Sequence, residues 1–406
     1  MNNLKTVLWL ILSLGMLVVI IFYPKDIFAA SLRGLNAWWT VVLPALLPFF
    51  ILSEILRGLG VVDFLGVLLD PLMRPLFRVP GRGAFIMVIG YTSGAPIGAA
   101  LTAKMRAEGL CTKAEGERLL SFTNNASPLF MLVAIAVGML EDPSLGVLIA
   151  GSHYLANLTL GMVLGIAAKK QEKQTWSKGI SHSLLLDAFH AMAKAQAANQ
   201  KAIGHLLTEA VIRSFQTLLL IGGYIILFSV VIQVCSLTGI LGVIAWILSK
   251  PLQMLGFPPQ LITAAVGGLV EMTMGAKMVA EANAPLNLKV LAISFILGWG
   301  GLSVHSQVAS MIAGTDLGMK TFVKTRIAHG LLAGALSQIL LGTHAQPVVL
   351  AISNKISFPA YNFWAFWNSA LVSLQLMGMS LALLLCLVLG SWLIANVKRL
   401  CFGKKY

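Results

Sequence analysis

The sequence predicts an all-α polytopic membrane protein with about eight transmembrane helices and two re-entrant hairpins of broken helix, arranged as an inverted repeat. Three observations predict this class. The 406 residues are 58% hydrophobic and 11% charged, with a mean hydropathy of +0.86. Glycine-rich stretches interrupt apolar runs that would otherwise form continuous membrane helices. Motifs around the first of these stretches recur in the second half of the chain.

Charge and motif content exclude several other classes of protein. The formal net charge is +14, from 29 basic and 15 acidic residues, and the basic residues lie in short segments between apolar runs. This distribution follows the positive-inside rule, so we expect a lipid bilayer and no nucleic acid as partner. The four cysteines and seven histidines lack disulfide or metal-ligand spacing, and the sequence contains no Walker A motif. We therefore expect no metal, no cofactor and no ATP-driven motor.

Long apolar runs predict the membrane spans. They lie at residues 7–23, 36–56, 122–140, 144–168, 213–235, 288–311, 327–343 and 365–395. Pro24 ends the first span, and Pro44 and Pro48 predict a kink in the second. The first run could instead be a cleaved signal peptide, with Phe28–Ser31 as the cleavage site. We favour a retained helix, because the run is long for a signal peptide and a second hydrophobic segment follows closely.

The stretch Gly90–Gly98, with the sequence Gly-Tyr-Thr-Ser-Gly-Ala-Pro-Ile-Gly, does not suit a continuous helix. In hydrocarbon each freed backbone group is costly unless protein or water satisfies it, so the stretch predicts a protein-lined cavity at membrane depth. The flanking segments, Arg74–Arg82 and Lys104–Arg118, are both basic and should share the cytoplasmic side. A hairpin at 83–103 that enters and leaves on that side would place both basic segments on the cytoplasmic side.

The second half of the chain repeats the first. Pro71 corresponds to Pro251, Gly90 to Gly267, Gly98 to Gly275 and Ser127 to Ser303. Gly267–Ala276 is therefore the second copy of the broken stretch. With the first hairpin re-entrant, the spans 36–56 and 213–235 run in opposite directions, so the halves are inverted and the hairpins enter from opposite faces. Such repeats, with broken helices meeting at the midplane, are typical of secondary transporters.

Five segments follow from this organisation. They are an N-terminal helix and link (1–35), a first repeat (36–168), a cytoplasmic basic loop with an amphipathic helix (169–209), a second repeat (210–345), and an external loop, last span and basic tail (346–406). A further amphipathic helix is predicted within 58–82, where the spacing of the leucines produces one apolar face.

Uncharged polar residues around the first hairpin are candidate substrate-binding residues. They are Thr92, Ser93 and Gly94 at the hairpin, and Thr123, Asn124, Asn125 and Ser127 beside the next span. Hydroxyls and free amides at the end of a half-helix attract anions, and asparagines are too polar to face lipid. The alternative is that the hydroxyls satisfy local backbone groups and that the amides bond neighbouring helices.

The second half supplies the remaining candidates. They are Glu271, Thr273, Ser303, His305 and Gln307. An acid inside a membrane is functional by default, and Glu271 could bind a cation, carry a proton or pair with Lys277 or Lys104. His305 could donate to an anionic substrate or titrate, or it could simply bond a neighbouring helix. We expect the site between the two hairpin tips, with the polar clusters around Thr123 and Ser303 as its walls.

The combined motifs resemble a known family. They are Gly90…Gly94-x-Pro96-x-Gly98-Ala99, Leu119–Asn124 and Ser127–Phe130 in the first half, and Gly268–Gly275 and Gly298–Gln307 in the second. This pattern is similar to the sporulation integral membrane proteins of the YlbJ type, also called SpoVV. It is also similar to the wider nucleoside recognition, or gate, domain, which looks related to concentrative nucleoside transporters.

The resemblance implies an endospore-forming bacterium, a place in the outer forespore membrane and uptake of dipicolinic acid. Dipicolinate is a small aromatic dianion. Hairpin amides, hydroxyls, His305 and nearby Lys104 or Lys277 suit such an anionic substrate.

We expect a secondary or facilitated transporter of a small anion. A nucleoside transporter of the same fold is an alternative, although acids for sodium coupling are few, essentially Glu271. A membrane scaffold for spore assembly is another alternative, and homo-oligomerisation is left open. A hydrolase that uses Ser303 or Ser306 with His305 is disfavoured, because neighbours on one helix give poor nucleophile–base geometry. We therefore expect no enzymatic activity.

Overall fold

The computed structural model describes residues 3–168, 184–199 and 203–342. Across these residues every regular element is helical, and no strand occurs. The predicted all-α class is therefore confirmed for the described part of the chain. The predicted span at 365–395 and residues 169–183 of the predicted basic loop lie outside it.

The chain begins with one helix and then a long, interrupted one. α1 (Asn3–Phe22) is followed by α2 (Pro24–Ala37), a π-helical turn (Trp38–Val42) and α3 (Leu43–Gly58). The axes on either side of Tyr23 differ by 105°. The π-helical turn comes just before Pro44. Because proline has no N–H and clashes with the preceding turn of a regular helix, the wider turn accommodates it.

Gly60, with φ of 76°, turns the chain into the next helix. The following elements are α4 (Val61–Phe77), α5 (Gly83–Ser93), α6 (Ile97–Ala107), α7 (Lys113–Thr123), a π helix (Phe130–Val137) and α8 (Ser144–Ala167). A capping box between Thr112 and Glu115 starts α7. The predicted span 122–140 is not one helix, since α7 ends at Thr123 and residues 124–127 are not helical. Pro128 disfavours helical backbone in the residue before it.

The second half contains a similar succession of helices. It comprises α9 (Leu184–Asn199), α10 (Ile203–Leu237), α11 (Ile240–Met254), α12 (Pro259–Val270), α13 (Met272–Glu281), α14 (Leu286–Trp299), α15 (Gly301–Ile312) and α16 (Met319–Gly342). Gly239, with φ of 77°, precedes α11 just as Gly60 precedes α4. α10 begins before the predicted residue 213, and α16 begins before the predicted residue 327.

Three stretches of helix are long and apolar enough to cross a membrane. They are Ser144–Ala167, Gly204–Leu237 and Leu286–Ile312, and the bent pair at Tyr23 would be a fourth if it forms one span. The predicted spans at 144–168, 213–235 and 288–311 fall on these stretches. The total of eight spans remains a prediction.

α2 and α10 pack against each other in antiparallel directions. Ser229 Oγ donates to the carbonyl of Ala30 at 2.8 Å, and Trp38 Nε1, in the following π-helical turn, donates to the carbonyl of Leu218 at 2.9 Å. Residue numbers therefore rise along one helix while they fall along the other. A buried apolar core continues from this contact through both halves, with Met131 and Ile293 among its fully buried members.

Two polar contacts join α6 and α7 to the start of α16. Arg106 donates to both carboxylate oxygens of Asp316, at 2.8 and 3.0 Å, and this guanidinium holds the pKa of Asp316 below its ordinary value. On α7, the carboxylate of Glu117 accepts from the amide of Gly318 at 3.0 Å and from Thr321 Oγ1 at 3.2 Å. Glu117 thus caps the N-terminus of a helix in the other half of the chain.

Glu117→Ala is expected to lower the free energy of unfolding by about 1–2 kcal/mol, because it leaves the first turn of α16 without its acceptor. The measurement is the unfolding midpoint of the purified protein in detergent. Glu108→Ala, at an exposed position on the end of α6, is the control and should change stability by less than about 0.5 kcal/mol. Equal midpoints for the two variants would contradict the assignment of Glu117 as a cap.

Candidate functional site

α5 and α6 form a hairpin whose tip is Gly94–Pro96. Gly94 has φ of 83° and ψ of −178°, a backbone conformation that is open essentially to glycine alone. The amide of Ala95 donates to the backbone carbonyl of Asn125 at 2.9 Å. The Ala95 amide, which the break in the hairpin leaves outside a helix, is therefore satisfied by the non-helical segment that follows α7.

The carbonyl oxygen of Thr123 lies between the two arms of this hairpin. A Cβ atom on Gly90 would lie 2.0 Å from this oxygen, and a Cβ atom on Gly98 would lie 2.4 Å from it. Since the obstacle is backbone and cannot rotate away, only glycine fits at either position. The glycines of the first predicted motif thus serve close packing of the hairpin on the end of α7.

Asn124 joins the ends of two helices and is fully buried. Its Oδ1 accepts from the amide of Ala99 in the first turn of α6, and its Nδ2 donates to the carbonyl of Leu120 in the last turn of α7, both at 2.7 Å. These are groups that a helix end leaves unsatisfied. Both ends of the Asn124 amide are therefore occupied by backbone.

α12 and α13 form the second hairpin, which is broken at the single residue Glu271. This residue is extended, with φ of −139° and ψ of 124°, and is 2% exposed. Its carboxylate accepts from the amide of Met274 at 2.6 Å and from Ser303 Oγ at 3.4 Å. The charge therefore lies at the N-terminus of α13, where the helix dipole favours an anion. The two arms cross so closely that a Cβ on Gly275 would lie 2.0 Å from the Cα of Gly268.

A third break separates α14 from α15, at two glycines with positive φ. Gly300 has φ of 86° and Gly301 has φ of 71°. A Cβ on Gly301 would lie 2.9 Å from the amide nitrogen of Met272, so this break lies directly against the second hairpin. Trp299 Nε1 also donates to the carbonyl of Leu269 at 3.0 Å. The predicted span 288–311 is therefore interrupted at these two glycines.

A cavity of about 60 Å³, which is room for a few water molecules, lies where the breaks meet. Its polar lining consists of Ser93, Gly94, Asn125, Ser127, Glu271, Thr273, Ser303 and Gln307. Its apolar lining includes Val42, Phe50, Phe130, Ile221 and Ile225. Residues from both hairpins, and from the segments that follow them, therefore face one space.

Four of the predicted site residues do not line this cavity. Thr92 Oγ1 donates to the carbonyl of Val88 at 2.8 Å, and Thr123 Oγ1 donates to the carbonyl of Leu119 at 2.6 Å. Asn124 caps two helices, as described above. His305 Nδ1 lies 2.8 Å from the carbonyl of Gly301, and its ring packs 4.1 Å from that of Trp299. All four therefore bond or pack locally, while His305 Nε2 has no hydrogen-bond partner in the described residues.

The lysines proposed as partners for an anion or for Glu271 are not at the cavity. Lys104 is exposed on α6, and Lys277 lies 3.9 Å from Glu281 on the partly exposed side of α13. Neither lysine lines the cavity, and the contacts of Glu271 are to Met274 and Ser303 instead. The alternative in which Glu271 pairs with either lysine is therefore wrong for the described structure.

A polar cluster that was not predicted from the sequence lies against α5 of the first hairpin. Its members are Tyr91, His153, Asn157, Arg326 and His329, of which His153 and His329 are fully buried. The Asn157 amide donates to the Tyr91 hydroxyl, and the rings of His153 and His329 are 4.4 Å apart. The sequence contained a signal for the two histidines. His153 lies inside the apolar helix α8 and His329 inside α16, at corresponding places in the two halves of the chain.

The geometry of the described residues defines a class of protein: a helical membrane protein in which two broken hairpins meet at one cavity with polar and apolar walls. The chain belongs to the Gate family, described as nucleoside recognition, whose model matches residues 39–178 and 218–343. The family resemblance seen in the motifs is therefore confirmed.

The chain is similar to two proteins, one of them over most of its length. The chain is 42% identical, over 341 residues, to the sporulation integral membrane protein YlbJ of Bacillus subtilis, and the match covers 84% of each protein. It is 34% identical over 99 residues to an uncharacterized protein of Alkalihalophilus pseudofirmus, covering 23% of this chain and 21% of that protein. No solved structure matches.

Proposed function

We propose that the protein is a secondary or facilitated transporter that carries a small aromatic dianion, dipicolinate, across the outer forespore membrane during sporulation. The observation that carries this proposal is the cavity lined jointly by both broken hairpins. Broken helices that converge on a buried polar space are where transporters bind their substrates. The name of the relative in Bacillus subtilis supports a role in sporulation.

We also propose that the two halves form an inverted repeat, an arrangement found in many transporters that work by alternating access. The same family model matches two successive segments of the chain, and the helices follow in the same order in each. α8 and α16 have equal lengths of 24 residues. The antiparallel contact between α2 and α10, which begin the two halves, is what a two-fold axis in the membrane plane would produce.

The chemistry of the cavity lining suits a flat ring that carries polar substituents, and the present space of about 60 Å³ would have to widen to admit one. Phe50 and Phe130 offer apolar surface, while hydroxyls and the Asn125 and Gln307 amides offer hydrogen bonds. A carboxylate substrate would exploit these donors, and the pyridine ring would pack against the apolar wall. Of the predicted site residues, the eight that line the cavity are those we propose for substrate contact.

Liposomes that contain the full-length protein are expected to take up labelled dipicolinate faster than protein-free liposomes, and excess unlabelled dipicolinate should compete. The measurement is the initial uptake rate at several substrate concentrations. A rate equal to that of protein-free liposomes, under conditions where the protein is folded and inserted, would contradict the proposal.

Nucleoside transport is the second candidate, because the family description itself favours it. The same liposomes separate the two functions. Competition by uridine or adenosine, without competition by dipicolinate, would favour nucleosides and exclude the dianion.

A further inference from the structure

We infer that Arg326 forms a carboxylate-binding subsite beside the cavity, and that the Asn125 side chain covers it until a substrate carboxylate arrives. This inference rests on the proposed function, because it names the group that would recognise an anionic substrate. Arg326 would also provide the positive charge for an anionic substrate, which Lys104 and Lys277 do not provide because neither lines the cavity.

Arg326 is 1% exposed and has few hydrogen-bond partners. Its Nη1 donates to Asn125 Oδ1 at 3.3 Å, and its Nη2 donates to the carbonyl of Leu297 at 3.1 Å. Its Nε has no partner in the described residues. A guanidinium carries five N–H donors, so the contacts leave capacity for a bidentate carboxylate.

No acid neutralises this charge within the described residues, where the structure records no ion pair for Arg326. Outside the described residues the sequence contains a single acid, Glu172. A buried charge without a counter-ion is costly, and in membrane proteins such a group marks a substrate or ion pathway by default. An anion that binds and leaves would explain why the position keeps a positive charge.

Asn125 connects Arg326 to the cavity. The residue lines the cavity, and its Oδ1 is the atom that faces the guanidinium. At 3.3 Å this contact is longer than a charge-assisted hydrogen bond, which is normally 2.7–2.9 Å. Rotation of the Asn125 side chain would therefore expose the guanidinium to the cavity, at the loss of this long contact and of the hydrogen bond that Asn125 Nδ2 donates to the Phe122 carbonyl at 3.0 Å.

The surroundings of Arg326 provide further unused polar atoms. Both ring nitrogens of His153 and the Nδ1 of His329 lack a hydrogen-bond partner in the described residues. His329 lies three residues after Arg326 on α16, so the two side chains share one face of the helix. Buried polar groups are normally paired, and several unpaired ones around a single cation indicate a place for a polar ligand.

A purely structural role for Arg326 is the competing explanation. The carbonyl of Leu297 lies in the last turn of α14, where a positive charge stabilises the helix end. A cap of this kind would affect folding but would not distinguish ligands by charge. The experiment therefore measures binding by ligands that differ in carboxylate number.

The test is equilibrium binding of dipicolinate, picolinate and nicotinamide to the purified full-length protein by titration calorimetry, together with the thermal unfolding midpoint. These pyridines carry two, one and no carboxylates. Arg326→Gln is expected to weaken dipicolinate binding about 10- to 100-fold, and Arg326→Lys should restore part of it. Arg213→Gln, at an exposed arginine on α10, is the control and should bind as the parent does.

Asn125→Asp keeps the test decisive if Arg326→Gln fails to fold. It places a carboxylate beside the guanidinium and removes the donor to the Phe122 carbonyl, so the unfolding midpoint should stay near that of the parent while dipicolinate binding falls by a similar factor. A variant that unfolds at the parental midpoint and yet does not bind cannot be a folding failure.

Unchanged dipicolinate affinity in Asn125→Asp or in folded Arg326→Gln would overturn the subsite. Absence of carboxylate binding by the parent protein would overturn it as well. If binding behaves as expected but liposome uptake is absent, the subsite stands and the proposed transport function fails.

Discussion

Gly90→Ala is expected to destabilise the protein by about 3 kcal/mol or more, at the upper end of the usual cost of overpacking. The added methyl group would lie 2.0 Å from the carbonyl oxygen of Thr123. Neither partner can move independently, because this carbonyl is also packed against Gly98 on the other arm of the hairpin. The measurement is the unfolding midpoint in detergent, together with the yield of monodisperse protein.

Gly151→Ala is the matched control for this prediction. Gly151 lies within α8, and a Cβ at this position would meet no atom within 4 Å. Because alanine favours helical backbone, this variant should be stabilised by about 0.5–1 kcal/mol. A Gly90→Ala protein as stable as the parent would mean that the hairpin does not pack on Thr123 as described.

Glu271→Gln is expected to reduce uptake of dipicolinate about 10- to 100-fold without weakening its binding. Glu271 is the acid among the residues that line the cavity. The Glu271 carboxylate repels a dianion unless a proton or a cation enters with it. Removal of the Glu271 charge should relieve this repulsion, so that binding persists, and should uncouple transport of the dianion from the proton or cation. Glutamine retains an oxygen that can accept from the amide of Met274, so the hairpin should persist.

Glu281→Gln on the same helix is the control for the loss of one negative charge, because Glu281 is exposed and faces Lys277 instead of the cavity. Its uptake should match that of the parent. Uptake by Glu271→Gln at the parental rate, in liposomes of equal protein content, would remove Glu271 from the mechanism.

The positions of the breaks could be predicted from the sequence because their causes are local. Proline and glycine leave few backbone choices, and an acid in an apolar run must find donors wherever it lies. Gly94 and Glu271 accordingly lie at breaks in the structure. The break at Gly300 was missed, although two adjacent glycines were its signal.

The roles of neighbouring polar residues could not be predicted in the same way. Asn124 and Asn125 are adjacent and chemically identical, yet one caps two helices and the other lines the cavity. They occupy non-helical backbone, where no periodicity indicates the direction of a side chain. Arg326 was missed because its helix begins within a basic segment, which is typical of a loop at the membrane surface.

The carbonyl of Thr123, held between two glycines, has a consequence for motion. With backbone against backbone on both sides, the first hairpin and the non-helical segment after α7 should move as one rigid body. Ser93, Gly94, Asn125 and Ser127 would then keep their mutual distances during any opening of the cavity. The seam along which the cavity opens must in that case run between this body and the second hairpin, so that a substrate enters and leaves by separation of two preformed half-sites.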